Sequence, residues 1–210
     1  MRVGAYPGSF DPPTVAHLAV AEAALHQGDL DAVHLVVSTT PLGKRPSVPS
    51  LEDRLAVLHE VASSRPWLDV RVTDRRLIAE VAAGYDAVIM GMDKWLQVIN
   101  PVWYGGSERA CREAVSTLPP VLLARRDGPE PPGPLPAHVT LLDVHPGHLP
   151  VSSSLVRAGR AEWMLEEAAR FDARTGAWSE PDRYRRGGAA NAGTGPTSLP
   201  PMPDQDAHRG

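Results

Sequence analysis

Two short segments hold side chains whose types and spacing suit phosphate chemistry. The first is Tyr6-Pro7-Gly8-Ser9-Phe10-Asp11-Pro12-Pro13-Thr14-Val15-Ala16-His17, which leads from an apolar run into an Ala- and Leu-rich one. Gly8 permits close backbone approach, Ser9 offers a hydroxyl, and the unpaired N–H groups of a helix start favour an anion. Thr14 and His17 are three residues apart, so on a helix they share one face of the first turn. A hydroxyl and an imidazole beside a phosphate point to phosphoryl-group chemistry. The second segment is Val151-Ser152-Ser153-Ser154-Leu155-Val156-Arg157, three hydroxyls in a row with a guanidinium three residues beyond them. Such a group can hold a polyphosphate and neutralise part of its charge.

Elements must bring these segments together. Short apolar runs at Val3 to Tyr6, Ala32 to Val37, Leu68 to Val72, Ala87 to Met90, Pro120 to Ala124 and Val139 to Val144 read as strands buried on both faces. Helical patterns lie between several of them: Val15 to His26, Leu51 to Ser63 with Ser50 as its cap, and Glu108 to Leu118. Strands alternating with helices predict an α/β fold, a Rossmann-like doubly wound parallel sheet in a single domain. Ligands are then expected at the carboxyl ends of the strands. The 18 glycines and 22 prolines are unevenly placed. Residues 129–136 carry five prolines in eight positions and read as an extended surface connection. Residues 174–210 hold 11 Gly or Pro in 37 positions, so the folded domain is expected over 1–173 and a largely disordered tail over 174–210.

The first segment resembles the opening signature of the nucleotidyltransferase superfamily, His or Thr, any residue, Gly, His. Its closest likeness is to phosphopantetheine adenylyltransferase, although Ala16 stands where that signature has Gly. The serine segment resembles the superfamily's other signature, a serine-rich helix start followed by Arg or Lys. The middle of the chain differs: Met90-Gly91-Met92-Asp93 replaces the Arg-Gly-Leu-Arg run of the phosphopantetheine enzymes. Gly91-Met92-Asp93 followed by Pro101-Val102-Trp103-Tyr104 is similar instead to nicotinate-nucleotide adenylyltransferase.

The resemblance implies transfer of AMP from ATP to the phosphate of a small phosphorylated acceptor, with release of pyrophosphate. The acceptor it favours is nicotinate or nicotinamide mononucleotide, which belongs to NAD biosynthesis. Phosphopantetheine, and a regulatory protein that binds a nucleotide without catalysis, are the alternatives, and CTP serves some related enzymes in place of ATP. The resemblance places His17, Lys44 and Thr14 at the chemistry. It places Gly8, Ser9, Phe10, His17, Gly91, Asp93, Ser152, Ser153, Ser154 and Arg157 on the nucleotide. Ser9, Lys44, Trp103 and Tyr104 are left for the acceptor, Trp103 stacking on its ring. Arg45 is a substitute for Lys44. Mg²⁺ is expected with ATP, without a dedicated metal cage.

Composition narrows the remaining classes. No run of 18 apolar residues suggests a membrane span, and the first residues do not read as a secretory leader, so a cytoplasmic protein is expected. The formal net charge of −4 argues against a broad nucleic-acid surface. The single cysteine, Cys111, supports neither a disulfide framework nor a Cys-rich metal site. His145-Pro146-Gly147-His148 spells the first signature literally, but a proline rather than an apolar helix follows it, and it is read as a loop. A homo-oligomer is compatible with all of this.

Overall fold

The apolar runs pair edge to edge into one sheet. The computed structural model describes residues 1–40, 48–128 and 130–185. Its strands are β1 (Val3–Pro7), β2 (Ala32–Ser38), β3 (Leu68–Thr73), β4 (Ala87–Gly91), β5 (Val121–Ala124) and β6 (Val139–Leu142). They lie in the order β3-β2-β1-β4-β5-β6, and every neighbouring pair is parallel. The helices are α1 (Val15–Gln27), α2 (Leu51–Ser63), α3 (Ile78–Ala82), α4 (Met92–Val98), α5 (Glu108–Ser116), α6 (Ser153–Arg157) and α7 (Glu166–Thr175).

Both faces of the sheet are covered, which is why the strands read as apolar runs rather than alternating ones. Ile89 points into a cluster with Val20 and Ala24 of α1 and Leu58 and Val61 of α2. Its neighbours Val88 and Met90 point the other way, onto Trp95 and Val98 of α4. This is the expected doubly wound sheet. The chain builds β1, β2 and β3 outward on one side, then crosses back to add β4 on the other side of β1. The crevice at the carboxyl ends of β1 and β4 is therefore the topological switch point, where open α/β sheets bind ligands. The described part of the proline-rich connection, 130–136, contains neither helix nor strand. Among the described residues no helix is long and apolar enough to cross a membrane.

The expected boundary after residue 173 needs correction. Helix α7 runs to Thr175 and closes on Gly176, whose φ of 72° is the left-handed conformation that ends many helices. Ala177 and Trp178 then turn inward to 1% and 2% exposure, against Val57, Val156, Met164 and Ala168. The buried Asp172 carboxylate fixes the turn by accepting from the N–H groups of Trp178 (2.7 Å) and Ser179 (3.1 Å). Tyr184 donates its hydroxyl proton to Asp53 and accepts from the Ser50 N–H (2.9 Å), which ties the segment to the start of α2. Gly176 and Pro181 made this stretch look like tail, whereas the glycine is a helix cap and the two aromatic residues are anchors. Residues 186–210 lie outside the described residues.

A second tie joins α7 to α2 through Arg65 Nη1 and Glu167 Oε1, 3.0 Å apart. Burial opposes the charge on Glu167, but its own backbone hydrogen bond and the Arg65 guanidinium outweigh this. They hold the carboxyl below its ordinary value of 4.5. A lowered folded value means that the contribution is complete above the unfolded value and is lost as pH falls through the folded one. Glu167→Gln is therefore expected to lose less stability than the wild type between about pH 6 and about pH 3, measured by urea unfolding. Trp178→Ala is expected to cost about 3–5 kcal/mol in the same assay, whereas a disordered tail would give no change.

Candidate active site

The turn after β1 is built around Phe10. Gly8 extends the parallel ladder by one bond, its N–H donating to the Val36 carbonyl (3.0 Å). A Cβ on Gly8 would lie 2.7 Å from Phe10 Cζ, so the glycine makes room for that ring. Phe10 itself sits at φ +45°, in the left-handed region that few large residues adopt, and is 1% exposed. Its ring meets Tyr6 edge-on at 5.5 Å and His17 at 5.1 Å between centroids. The expectation that Phe10 touches a nucleotide is corrected for its side chain, which is a wedge beneath His17. Burial pushes the Tyr6 phenol up to about 12, so this neighbour stays neutral.

Helix α1 begins at Val15, with Thr14 as its N-cap in extended conformation. His17 N–H approaches Thr14 Oγ1 (3.4 Å), and Thr14 N–H donates to His17 Nδ1 (3.0 Å), a reciprocal capping pair. Thr14 Oγ1 also lies 2.8 Å from Nδ1. A backbone N–H can only donate, so Nδ1 is an acceptor and the proton of the neutral ring is on Nε2. Thr14 is fully buried, which makes it the residue that positions His17. Ala16 is 4% exposed, so the methyl group that departs from the signature points into the core.

The serine segment lies directly against this turn. Ser152 caps α6 by accepting from the Leu155 N–H (3.2 Å), and Ser153 Oγ donates to the Pro12 carbonyl (2.8 Å). Arg157 donates to the Asp11 carbonyl, stands 3.6 Å from Asp11 Oδ2, and donates to Ser154 Oγ (3.3 Å). The tertiary structure thus unites the two signatures but occupies two of the three hydroxyls structurally, leaving Ser154 the exposed one. Gly91 and Asp93 stand at the carboxyl end of β4, across the crevice. A Cβ on Gly91 would meet Arg126 Nε at 3.3 Å, and that nitrogen lies 3.7 Å from Asp93 Oδ2. Arg126 also donates to the Val151 carbonyl (2.7 Å), linking β5 to the serine segment. Lys44 and its substitute Arg45 lie outside the described residues.

A cleft of about 870 Å³, counting the solvent at its mouth, opens beside this crevice. Gly8 and Ser9 line it together with Trp103 and Tyr104, so three of the four acceptor residues share one wall system. The nine residues between Asp93 and Trp103 are taken up by the rest of α4 and a turn. Trp103 and Tyr104 then sit on a single 3₁₀ turn capped by Asn100. Tyr104 donates its hydroxyl proton to the Val98 carbonyl (2.9 Å), and burial raises its phenol above the ordinary value. Among the described residues four cations also line the cleft, Arg54, Arg75, Arg76 and Lys94, and no carboxylate does. Arg54 Nη1 donates to the Ser9 carbonyl (3.1 Å), while its Nε is buried without a hydrogen-bond partner. Sequence reasoning did not single out these cations, although Arg75 and Arg76 closely follow the third strand, at the end of the sheet where α/β folds carry ligand residues.

A family model described as cytidylyltransferase-like matches residues 5–159. The chain belongs to the cytidylyltransferase-like family. The match takes in β1 through α6 and so includes both signatures. Among relatives, a protein of Bordetella avium named a probable nicotinate-nucleotide adenylyltransferase is 37% identical over 73 residues, 35% of this chain and 37% of that one. One of the same name from Agrobacterium fabrum is 30% identical over 134 residues, covering 60% of this chain and 70% of that one. The match thus spans little more than a third of the first relative's length. The solved Plasmodium falciparum nicotinic acid mononucleotide adenylyltransferase, complexed with NaAD, aligns over 82% of this chain and 95% of its own. Its TM-score is 0.60 at 12% identity, a likeness of fold.

The cap geometry has a direct test. Long-range ¹H–¹⁵N correlation spectra are expected to find neutral His17 protonated at Nε2, and a proton on Nδ1 would contradict the capping pair. Thr14→Ala is expected to cost about 1 kcal/mol in chemical unfolding, the usual value of a lost helix cap.

Proposed function

We propose that this protein transfers AMP from ATP to the phosphate of nicotinate mononucleotide, releasing pyrophosphate. One observation carries the reading: a cleft lined, among the described residues, by four cations, no carboxylate and a half-buried tryptophan runs up to the turn that holds His17's helix. An acidic chain has concentrated positive charge where an aromatic phosphate ester would fit. The names of the relatives agree with that acceptor.

In this mechanism the acceptor lies in the cleft with its ring against Trp103 and its phosphate toward Ser9 and Arg54. A phosphate oxygen of the acceptor attacks the α-phosphorus of ATP. One P–O bond forms, the bond from the α-phosphorus to the bridging oxygen breaks, and that oxygen leaves on pyrophosphate. The attacking phosphate is already anionic near neutral pH, so no general base is required. His17 donates from Nε2 to the charge that develops on the α-phosphate, and Thr14 and Phe10 hold it in that orientation. Ser154, Arg157 and the N–H groups around the junction receive the leaving group, with Lys44 assigned to the phosphates by resemblance. Mg²⁺ would supply charge neutralisation on the triphosphate.

Ala16 and the absence of the Arg-Gly-Leu-Arg run are the two features that favour a non-catalytic reading, and the burial of the Ala16 side chain weakens the first. The assay is pyrophosphate release from ATP and Mg²⁺ with nicotinate mononucleotide, nicotinamide mononucleotide or phosphopantetheine as acceptor. Turnover is expected with a pyridine mononucleotide. Release with phosphopantetheine alone, or with none of the three, would overturn the proposal. His17→Ala is expected to lower turnover by about 100-fold or more while remaining folded.

A further inference from the structure

Of the four described cations that line the cleft, three have partners. Arg54 holds the Ser9 carbonyl, Arg75 Nη1 donates to the Glu80 carbonyl (3.1 Å), and Lys94 Nζ donates to Gln97 Oε1 (2.9 Å). Arg76 is exposed and makes no hydrogen bond or ion pair among the described residues. Its place is informative. The cleft opens into a wider outer hollow, and the residues lining both are Arg75, Arg76, Leu77 and Trp103, whereas Gly8 and Ser9 line the inner one alone. Arg76 and Trp103 therefore mark the outer end, away from the phosphate turn. The outer hollow also has Asp74 and Glu80, but Glu80 Oε2 accepts from the Leu77 N–H (3.3 Å), and neither carboxylate pairs with Arg76.

We propose that Arg76 reads the charge of the acceptor's ring substituent and makes the site select a pyridine carboxylate over the neutral carboxamide. The inference rests on the acceptor orientation given above. With the phosphate at Ser9 and the ring against Trp103, a ring substituent is carried toward Arg76. A guanidinium has only donors to offer. A carboxylate presents only acceptors and full opposite charge, while a carboxamide turns one N–H edge against the same donors. The unpartnered guanidinium also needs no existing bond to be broken before it engages the ligand.

The test is calorimetric titration of the full chain with nicotinate mononucleotide and, separately, nicotinamide mononucleotide. Wild type, Arg76→Ala and Arg76→Lys are compared, with thermal melts confirming that the exposed substitutions leave the fold intact. The wild type is expected to bind the acid about 10-fold or more tightly than the amide. Arg76→Ala should remove that preference by weakening the acid alone, and Arg76→Lys should restore part of it. A wild type without preference, or an alanine variant that keeps it, overturns the assignment. Pyrophosphate release by the same samples judges the adenylyltransfer reading separately. Turnover without an Arg76-dependent preference would leave the reaction standing and remove the inference, and an Arg76-dependent binding preference without turnover would do the reverse.

Discussion

Asp11 and the Pro12 carbonyl form the junction on which the rest of the site depends. Trp178 donates its indole proton to Asp11 Oδ1 (2.7 Å) from 167 residues away. Arg157 reaches the Asp11 carbonyl from 146 residues away, and Ser153 reaches Pro12 from 141. Each bond closes nearly the whole chain into a loop, an ordering cost that no local preference could offset. What offsets it is apolar burial: Trp178, Val156 and Met164 come together with α2 in one cluster. The phosphate turn is thereby held from its far side by the end of the fold, while Phe10 and Thr14 hold its near side. A site whose task is positioning needs a turn that does not move when charge develops.

Charge is distributed against the composition. The chain carries a net −4, and most of its ion pairs lie on the outer surface, where they are solvated and worth little individually. Cations lacking a facing carboxylate gather in the cleft instead. Partial withdrawal from water strengthens their action on a bound anion, so a few placed side chains can do what a globally basic surface does for larger polyanions. The same economy applies to the serine segment. Two hydroxyls are used to join it to the turn and cap its helix, and Arg157 is oriented by Asp11 while retaining exposure to a ligand.

Much of the fold was legible because each element carries its own signal. Each of the six apolar runs matches a strand to within two residues at either end, and Ser50 caps the helix that its position suggested. Short elements such as α3, α4 and α6 carried weak periodicity, and their existence depends on the neighbours they pack against. The C-terminal boundary was misread for a related reason. Gly176 is a helix cap only when α7 precedes it, and Trp178 is an anchor only when a pocket receives it. Phe10 was placed on the ligand because its segment matched a signature, although sequence similarity does not report which way a side chain points.

The sequence by itself determined the sheet, the two phosphate-type segments and the Thr14–His17 pairing, because these follow from hydrophobic pattern and from contacts within four residues. Only the tertiary structure decided that the two segments touch, that Thr14 and Phe10 both contact His17, and that Arg54, Arg75, Arg76 and Lys94 line one cleft with Trp103. Those facts depend on the strand order, which puts β1 between β2 and β4 and so converges loops that are far apart in the chain. Side-chain direction and the company of distant residues are properties of packing, and one-dimensional spacing does not encode them until the sheet has closed.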